Sequence, residues 1–65
     1  MKAFEVVRIL NKHGWKLVRT NGSHHTFEHK ETKESHVFVF HDERREIDPP
    51  TLSKVSKDFK IKFKR

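Results

Sequence analysis

Residues 20–27, TNGSHHTF, hold the side chains of this chain that could do chemistry. A glycine stands directly before a serine and two adjacent histidines, His24 and His25. A free imidazole changes its protonation state near neutral pH, so a histidine can accept or donate a proton in a reaction. Imidazole also binds zinc, and histidine is also an ordinary strand residue. The elements that position the two rings decide between these possibilities.

A tight hairpin turn is predicted at Asn21-Gly22, because such turns prefer this dipeptide at their central positions, which need positive φ. The strand before the turn is WKLVRT, and the strand that returns is HHTFEH. Alternation in the returning strand puts His25 on the side of Phe27, its one large apolar residue, and that side should face the core. His24 is therefore expected on the open face of the sheet, near the turn.

A third strand is predicted at residues 36–41, HVFVFH, because they are rich in β-branched and aromatic side chains. If Val37 and Val39 face the core, alternation puts Phe38 on the open face together with His24. The three predicted strands follow one another with short connections and should form an antiparallel sheet.

A helix is predicted on either side of the strands. Residues 3–13 carry apolar side chains at helical spacing and are followed by Gly14, a common helix stop. Pro49 begins the second helical segment, because proline is tolerated in the first turn of a helix but not inside it. The final KIKFKR could be a short strand, a continued helix or a frayed tail. The predicted fold is α+β, in the order α-β-β-β-α, with both helices on one face of the sheet.

The chain has 65 residues and no cysteine. A domain of this size buries only about 60% of the surface of its unfolded chain, so a roomy substrate pocket is not expected. The lack of cysteine excludes a disulfide framework and thiolate metal sites and suits a reducing compartment, so the cytoplasm is the expected location. No apolar run approaches the roughly 18 residues of a membrane span, and charges occupy the stretch that a signal peptide keeps apolar.

The chain is strongly basic. Fifteen Lys and Arg against nine Asp and Glu give a formal charge of +6 and a sequence pI near 10.0. This balance favours a polyanionic partner such as a nucleic acid, because each neutralised phosphate releases condensed counterions. A complementary acidic protein would satisfy the same charge.

The run GWKLVRTNGSHH, together with HVFVFH and the proline-led final helix, resembles the HicA toxins, small mRNA interferases of bacterial toxin-antitoxin pairs. The similarity extends over nearly the whole chain, so residues 1–65 are interpreted as one HicA-like toxin domain. It implies a fold similar to a double-stranded-RNA-binding domain, a metal-independent endoribonuclease without cofactors that acts on mRNA, and a HicB-like antitoxin. The chain departs from the usual family residues at Phe38, at Phe40 and in its DFKIKFKR ending.

The resemblance assigns the candidate catalytic residue. His24 matches the histidine that the family requires for RNA cleavage, Gly22 and Ser23 match the preceding motif positions, and His41 matches a histidine that the family often carries after its third strand. RNA cleaves itself when a 2′-hydroxyl attacks the adjacent phosphorus, and a histidine helps by moving a proton. His24 is therefore interpreted as general base or general acid, with that choice left open.

Each neighbouring candidate has a structural alternative. Gly22 could let a phosphate approach the backbone or could serve the turn alone. Ser23 could donate to a phosphate oxygen or satisfy the turn backbone. His25 is the rival catalytic residue, but its parity with Phe27 indicates a structural role. Adjacent histidines on a strand point to opposite faces, and no H-E-x-x-H spacing occurs, so a metal site is disfavoured.

The remaining substrate-binding candidates are Lys16, Arg19, Lys30 and Phe38. The three cations could line the open face or its rim and hold the RNA backbone, or could be solvated surface charges. Phe38 could stack on an RNA base, a contact worth about 1 to 3 kcal/mol, or could be buried by a partner protein or by the tail. Two competing functions stay open: a non-catalytic RNA-binding module, and a degenerate toxin that acts through antitoxin binding.

Overall fold

The computed structural model describes residues 1–63. Its elements, in chain order, are α1 (Ala3–Lys12), β1 (Trp15–Asn21), β2 (His24–His29), β3 (Ser35–Val39) and α2 (Pro49–Phe59). The strands form one antiparallel sheet in the order β1-β2-β3. The predicted α-β-β-β-α order and α+β class are confirmed.

Both helices pack on one face of the sheet, as predicted. The aromatic centre of the core is Phe59 of α2, whose ring centroid lies 4.7 Å from that of Trp15 and 6.0 Å from that of Phe27. The buried apolar residues are Ala3, Val6, Leu10, Trp15, Phe27, Phe38, Ile47, Val55, Phe59 and Ile61. Both helices and all three strands contribute to this core, as do Ile47 and Ile61 on either side of α2, so the opposite face of the sheet is left without a helix over it.

The predicted orientation of β3 is wrong. Phe38 is 0% exposed and lies in the core, whereas Val37 and Val39 are 42% and 41% exposed on the opposite face. Alternation alone could not choose between the two orientations, because both sets of side chains in this strand are apolar. The observed orientation buries the larger aromatic ring, which removes more apolar surface from water than a valine would. Phe38 also packs beside Phe40, with ring centroids 4.8 Å apart.

The hairpin turn lies one residue later than predicted. Asn21 is the last residue of β1 and pairs with His24, so the two central turn residues are Gly22 and Ser23. Gly22 has a φ of +63°, and glycine with positive φ at the first central position is typical of a type II′ turn. A Cβ at Gly22 would meet no atom within 4 Å, so backbone conformation, not lack of space, is what favours glycine here.

A β-bulge interrupts the pairing of β1 with β2. Leu17 pairs with Phe27 and Arg19 pairs with Thr26, so Val18 is an extra residue in β1. Plain alternation from Leu17 would put Arg19 on the core side. The bulge instead aligns Arg19 with Thr26, on the helix-free side of the sheet.

The second helix is capped at both ends. Asp48 is its N-cap and accepts a hydrogen bond from the Thr51 hydroxyl at 2.8 Å, which holds the pKa of this carboxyl below its ordinary value. At the other end, Lys60 adopts the left-handed conformation, and the backbone N–H of Ile61 donates to the Ser56 carbonyl at 3.0 Å. The helix therefore stops before the final KIKFKR, and Ile61 of that run enters the core. The last two residues of the run, 64 and 65, lie outside the described residues.

Candidate functional site

His24 is the first residue of β2 and is exposed to solvent. It pairs with Asn21 of β1 and Val39 of β3, so it lies in the central strand, beside the hairpin turn. We use the term open face for the helix-free side of the sheet. From the turn outward, its cross-strand rows are Asn21, His24 and Val39; then Arg19, Thr26 and Val37; then Lys16, Glu28 and Ser35. The His24 imidazole is therefore presented to solvent on the open face.

A hydrogen bond joins the hairpin turn to the segment after β3. The Ser23 Oγ lies 3.0 Å from the Nδ1 of His41, a residue 18 positions further along the chain. The backbone N–H of Phe40 also donates to the Ser23 carbonyl, at 3.1 Å. His41 is exposed and Ser23 is half-buried. One end of the sheet therefore brings together four of the candidates: Gly22, Ser23, His24 and His41.

The basic candidates lie at different distances from His24. Arg19 is level with Thr26, two residues along β2 from His24, or about 7 Å at the usual rise of a strand. Lys16 is level with Glu28, so it lies about 13 Å along the same face. Lys30 follows β2 at its far end, about 20 Å from His24 along the strand. Arg19 is therefore the one member of this predicted trio that the fold brings near His24.

Phe38 does not belong to the open face. Its ring is buried beneath the helices, so the predicted position beside His24 is wrong, and it cannot stack on a base in the folded protein. No partner protein is needed to bury the ring, because it lies in the chain's own core, which includes Ile61 of the final run. The exposed apolar groups beside His24 are instead Val37 and Val39, which sequence reasoning missed.

His25 lies on the core side of the sheet and is half-buried. Its Nδ1 donates a hydrogen bond to the Phe38 carbonyl at 3.2 Å. Its ring stacks on that of Phe40, with centroids 3.8 Å apart and planes 5° from parallel. These contacts give His25 a packing role and hold its ring on the opposite face of the sheet from the His24 ring. They support the structural interpretation of His25.

Other histidines also serve the fold. The Nε2 of His29 donates to the His13 carbonyl at 2.9 Å, while its Nδ1 accepts the backbone N–H of Glu31 at 3.1 Å. His36 packs against the Phe59 ring, with centroids 5.6 Å apart. Within residues 1–63, no group of three or more His, Cys, Asp or Glu side chains is placed to hold a metal ion.

A groove of about 360 Å³ runs between β3 and α2 and ends beside the site. Val37 and Val39 line one wall, Thr51 and Lys54 line the other, and His41 lies at the same groove. The groove is open to solvent and is partly apolar, so it extends the exposed surface from His41 toward α2.

Neither helix of the described chain is long and apolar enough to span a membrane.

The fold and this site define a small basic α+β protein that displays two histidines at one end of an open sheet. The chain belongs to the HicA toxin family: the family described as HicA toxin of bacterial toxin-antitoxin matches residues 4–61. The match includes α1 except its first residue, all three strands, α2 and the whole of the site. No curated protein matches the chain. The family resemblance predicted from the sequence is confirmed, and with it a toxin role and an antitoxin partner.

Proposed function

We propose that this toxin is an mRNA interferase, an endoribonuclease that cleaves mRNA without a metal ion and so blocks translation in the cytoplasm. The observation that carries the proposal is the exposed His24 imidazole at the hairpin end of the open face, in a chain of the HicA toxin family. A flat and accessible site suits a long polymeric substrate, which need not enter a pocket.

The chemistry follows from what an imidazole can do next to RNA. The 2′-oxygen attacks the adjacent phosphorus, its proton is removed, and the 5′-oxygen leaves and takes up a proton. A histidine within hydrogen-bond reach can carry either proton, which is worth about 10²- to 10⁴-fold in rate. His24 takes one of these two roles, since it is exposed and its neighbours on the open face leave it accessible.

The substrate backbone would be held by groups around His24. At Gly22, the space where a Cβ would stand is free of protein atoms within 4 Å, so a phosphate can approach the turn backbone. Arg19 supplies a positive charge on the same face, in the neighbouring strand. Val37 and Val39 offer an apolar surface against which a base can lie. The formal charge of +6 supports attraction of RNA from a distance.

A HicB-like antitoxin would neutralise the toxin by covering the open face. Val18, Val37 and Val39 are large apolar residues exposed in the sheet, and burying them against a partner is favourable. An acidic partner would complement the positive charge of the chain and would compete with RNA for it.

The activity is tested with purified toxin and an end-labelled RNA in excess EDTA. We expect internal cleavage that survives chelation and leaves 2′,3′-cyclic phosphate ends. Binding that weakens steeply with salt but yields no new RNA ends would instead favour the non-catalytic RNA-binding module. The positive charge and the order of the elements are also consistent with that module. Loss of cleavage in EDTA with recovery on adding Mg²⁺ would contradict a metal-independent reaction.

A matched pair of charge variants tests where the RNA lies. Arg19→Gln should raise the KM for RNA several-fold, because Arg19 lies near His24 on the open face. Lys30→Gln removes the same charge at the far end of β2 and should have a smaller effect. The measurement is the KM of each variant at two salt concentrations. Equal effects from the two substitutions would indicate that RNA is attracted by net charge alone.

A further inference from the structure

The hydrogen bond between Ser23 and His41 has little value for the fold. His41 is exposed, and solvent-exposed hydrogen bonds add little to stability because water replaces them readily. The backbone bond from Phe40 to the Ser23 carbonyl already joins the two segments. What the side-chain bond does is fix the direction of the His41 ring.

The sheet register puts His24 and His41, both exposed, near each other at the hairpin end. His24 pairs with Val39, and the Phe40 to Ser23 bond continues this register by one more pair. β3 ends at Val39, and the 3.0 Å bond from Ser23 holds His41 at this end, where one further step of the register would set it diagonal to His24. Diagonal neighbours in an antiparallel pair lie about 7 to 8 Å apart, and each imidazole reaches about 3 Å further through a hydrogen bond. One phosphodiester group can therefore lie between the two rings.

The bond to Ser23 also determines which His41 nitrogen is available. Nδ1 is engaged with the Ser23 Oγ, so Nε2 is the nitrogen left for a substrate. A serine hydroxyl oxygen can accept from Nδ1–H whether or not Nε2 carries a proton. Proton transfer at Nε2 therefore leaves the contact with Ser23 intact, as a catalytic acid or base requires.

We propose that His41 is the second catalytic residue of RNA cleavage and that Ser23 is its positioning residue. The inference rests on the proposed ribonuclease function. One imidazole of the His24 and His41 pair removes the proton from the 2′-oxygen as the bond from that oxygen to phosphorus forms. The other donates a proton to the 5′-oxygen as its bond to phosphorus breaks. The products are a 2′,3′-cyclic phosphate and a 5′-hydroxyl, and the two histidines end with exchanged protonation states.

The first test measures kcat for His41→Gln on an RNA oligonucleotide that the wild type cleaves at one mapped bond. We expect a loss of about 10²-fold or more, and the bell-shaped pH profile of the wild type should lose one limb. Ser23→Ala should lower kcat less and keep both limbs, because the imidazole remains but is less well oriented. His13→Gln is the matched control, an exposed histidine at the other end of the sheet, and should keep the wild-type rate.

The second test assigns the roles. The same oligonucleotide is made with sulfur in place of the bridging 5′-oxygen, because a thiolate leaves without a proton. The variant that lacks the general acid should regain most of the wild-type rate on this substrate, and the variant that lacks the base should not. Rescue of either His41→Gln or His24→Gln, but not of both, supports the pair.

Several outcomes would overturn the inference. If His41→Gln cleaves RNA at the wild-type rate, His41 is not catalytic, while the proposed function stands. If its rate falls but neither variant is rescued and both pH limbs persist, His41 has only a structural role. If the wild type itself does not cleave RNA, the proposed function fails first. Thermal melts exclude misfolding, and His41→Asn replaces His41→Gln if the latter does not fold.

Discussion

His24→Ala is expected to abolish both RNA cleavage and growth arrest while the protein stays folded. The imidazole is exposed and takes no part in the core, so its removal should leave the free energy of unfolding nearly unchanged. Loss of a proton-transfer group costs about 10²- to 10⁴-fold in rate, and the effect should reach the upper part of this range if the variant cannot recruit water in its place.

The measurement is growth after induction of each variant in cells that lack the antitoxin, with circular dichroism of the purified proteins. His13→Ala serves as the control, since it removes another exposed imidazole far from the hairpin end. A folded His24→Ala protein that still arrests growth would refute the assignment of His24. Arrest without RNA cleavage would point to toxicity through binding.

Phe38→Ala is expected to destabilise the toxin by about 3 to 5 kcal/mol, because it removes a fully buried ring and leaves a cavity. Domains of this kind have a free energy of unfolding of about 5 to 15 kcal/mol, so much of the chain would be unfolded at growth temperature if the toxin lies at the low end. Toxicity should be lost for that reason, and not because a base-stacking contact is missing.

Urea denaturation of Phe38→Ala and Val37→Ala measures the difference directly. Val37 is the neighbouring residue with the opposite orientation and is 42% exposed, so its truncation should cost much less. A stable Phe38→Ala protein, or a larger loss in Val37→Ala, would mean that β3 has the reverse orientation. Phe38 would then be assigned to the open face and would again be a candidate for RNA contact.

Much of the fold could be predicted because its signals are local. Gly14 follows α1, and Pro49 opens α2 where proline is tolerated in a helix. The position of His24 followed from a single large apolar neighbour, Phe27, which determines the parity of β2. In each case one residue has a strong preference and no competing pattern surrounds it.

The features that could not be predicted depend on choices between nearly equal alternatives. The apolar residues of β3 alternate valine with phenylalanine, so the face of Phe38 depends on which set of side chains the helices cover, and covering the larger ring buries more apolar surface. The turn could be centred on Asn21-Gly22 or on Gly22-Ser23, and the glycine satisfies both. The bulge at Val18 could not be predicted from the alternation of polar and apolar residues in β1.

The contact between Ser23 and His41 is the part of the site that sequence reasoning missed. The resemblance marked both residues separately, but nothing local to either one indicates that they meet across 18 positions. Their proximity depends on the register in which β2 pairs with β3. That register could not be predicted without knowing which side chains of β3 face the core. The side-chain pair could be found only after the sheet was assembled.

The bulge in β1 makes Val18 unlike every other residue of its strand. Because Val18 is the surplus position, a chain shortened by this one residue would still direct Arg19 and Asn21 to the side of the sheet that carries His24. Removing Leu17 instead would leave Val18 to stand opposite Phe27, so the register would be kept with a smaller side chain at that place. The bulge can therefore absorb the loss of one residue from β1, and the histidine end of the sheet then keeps its arginine.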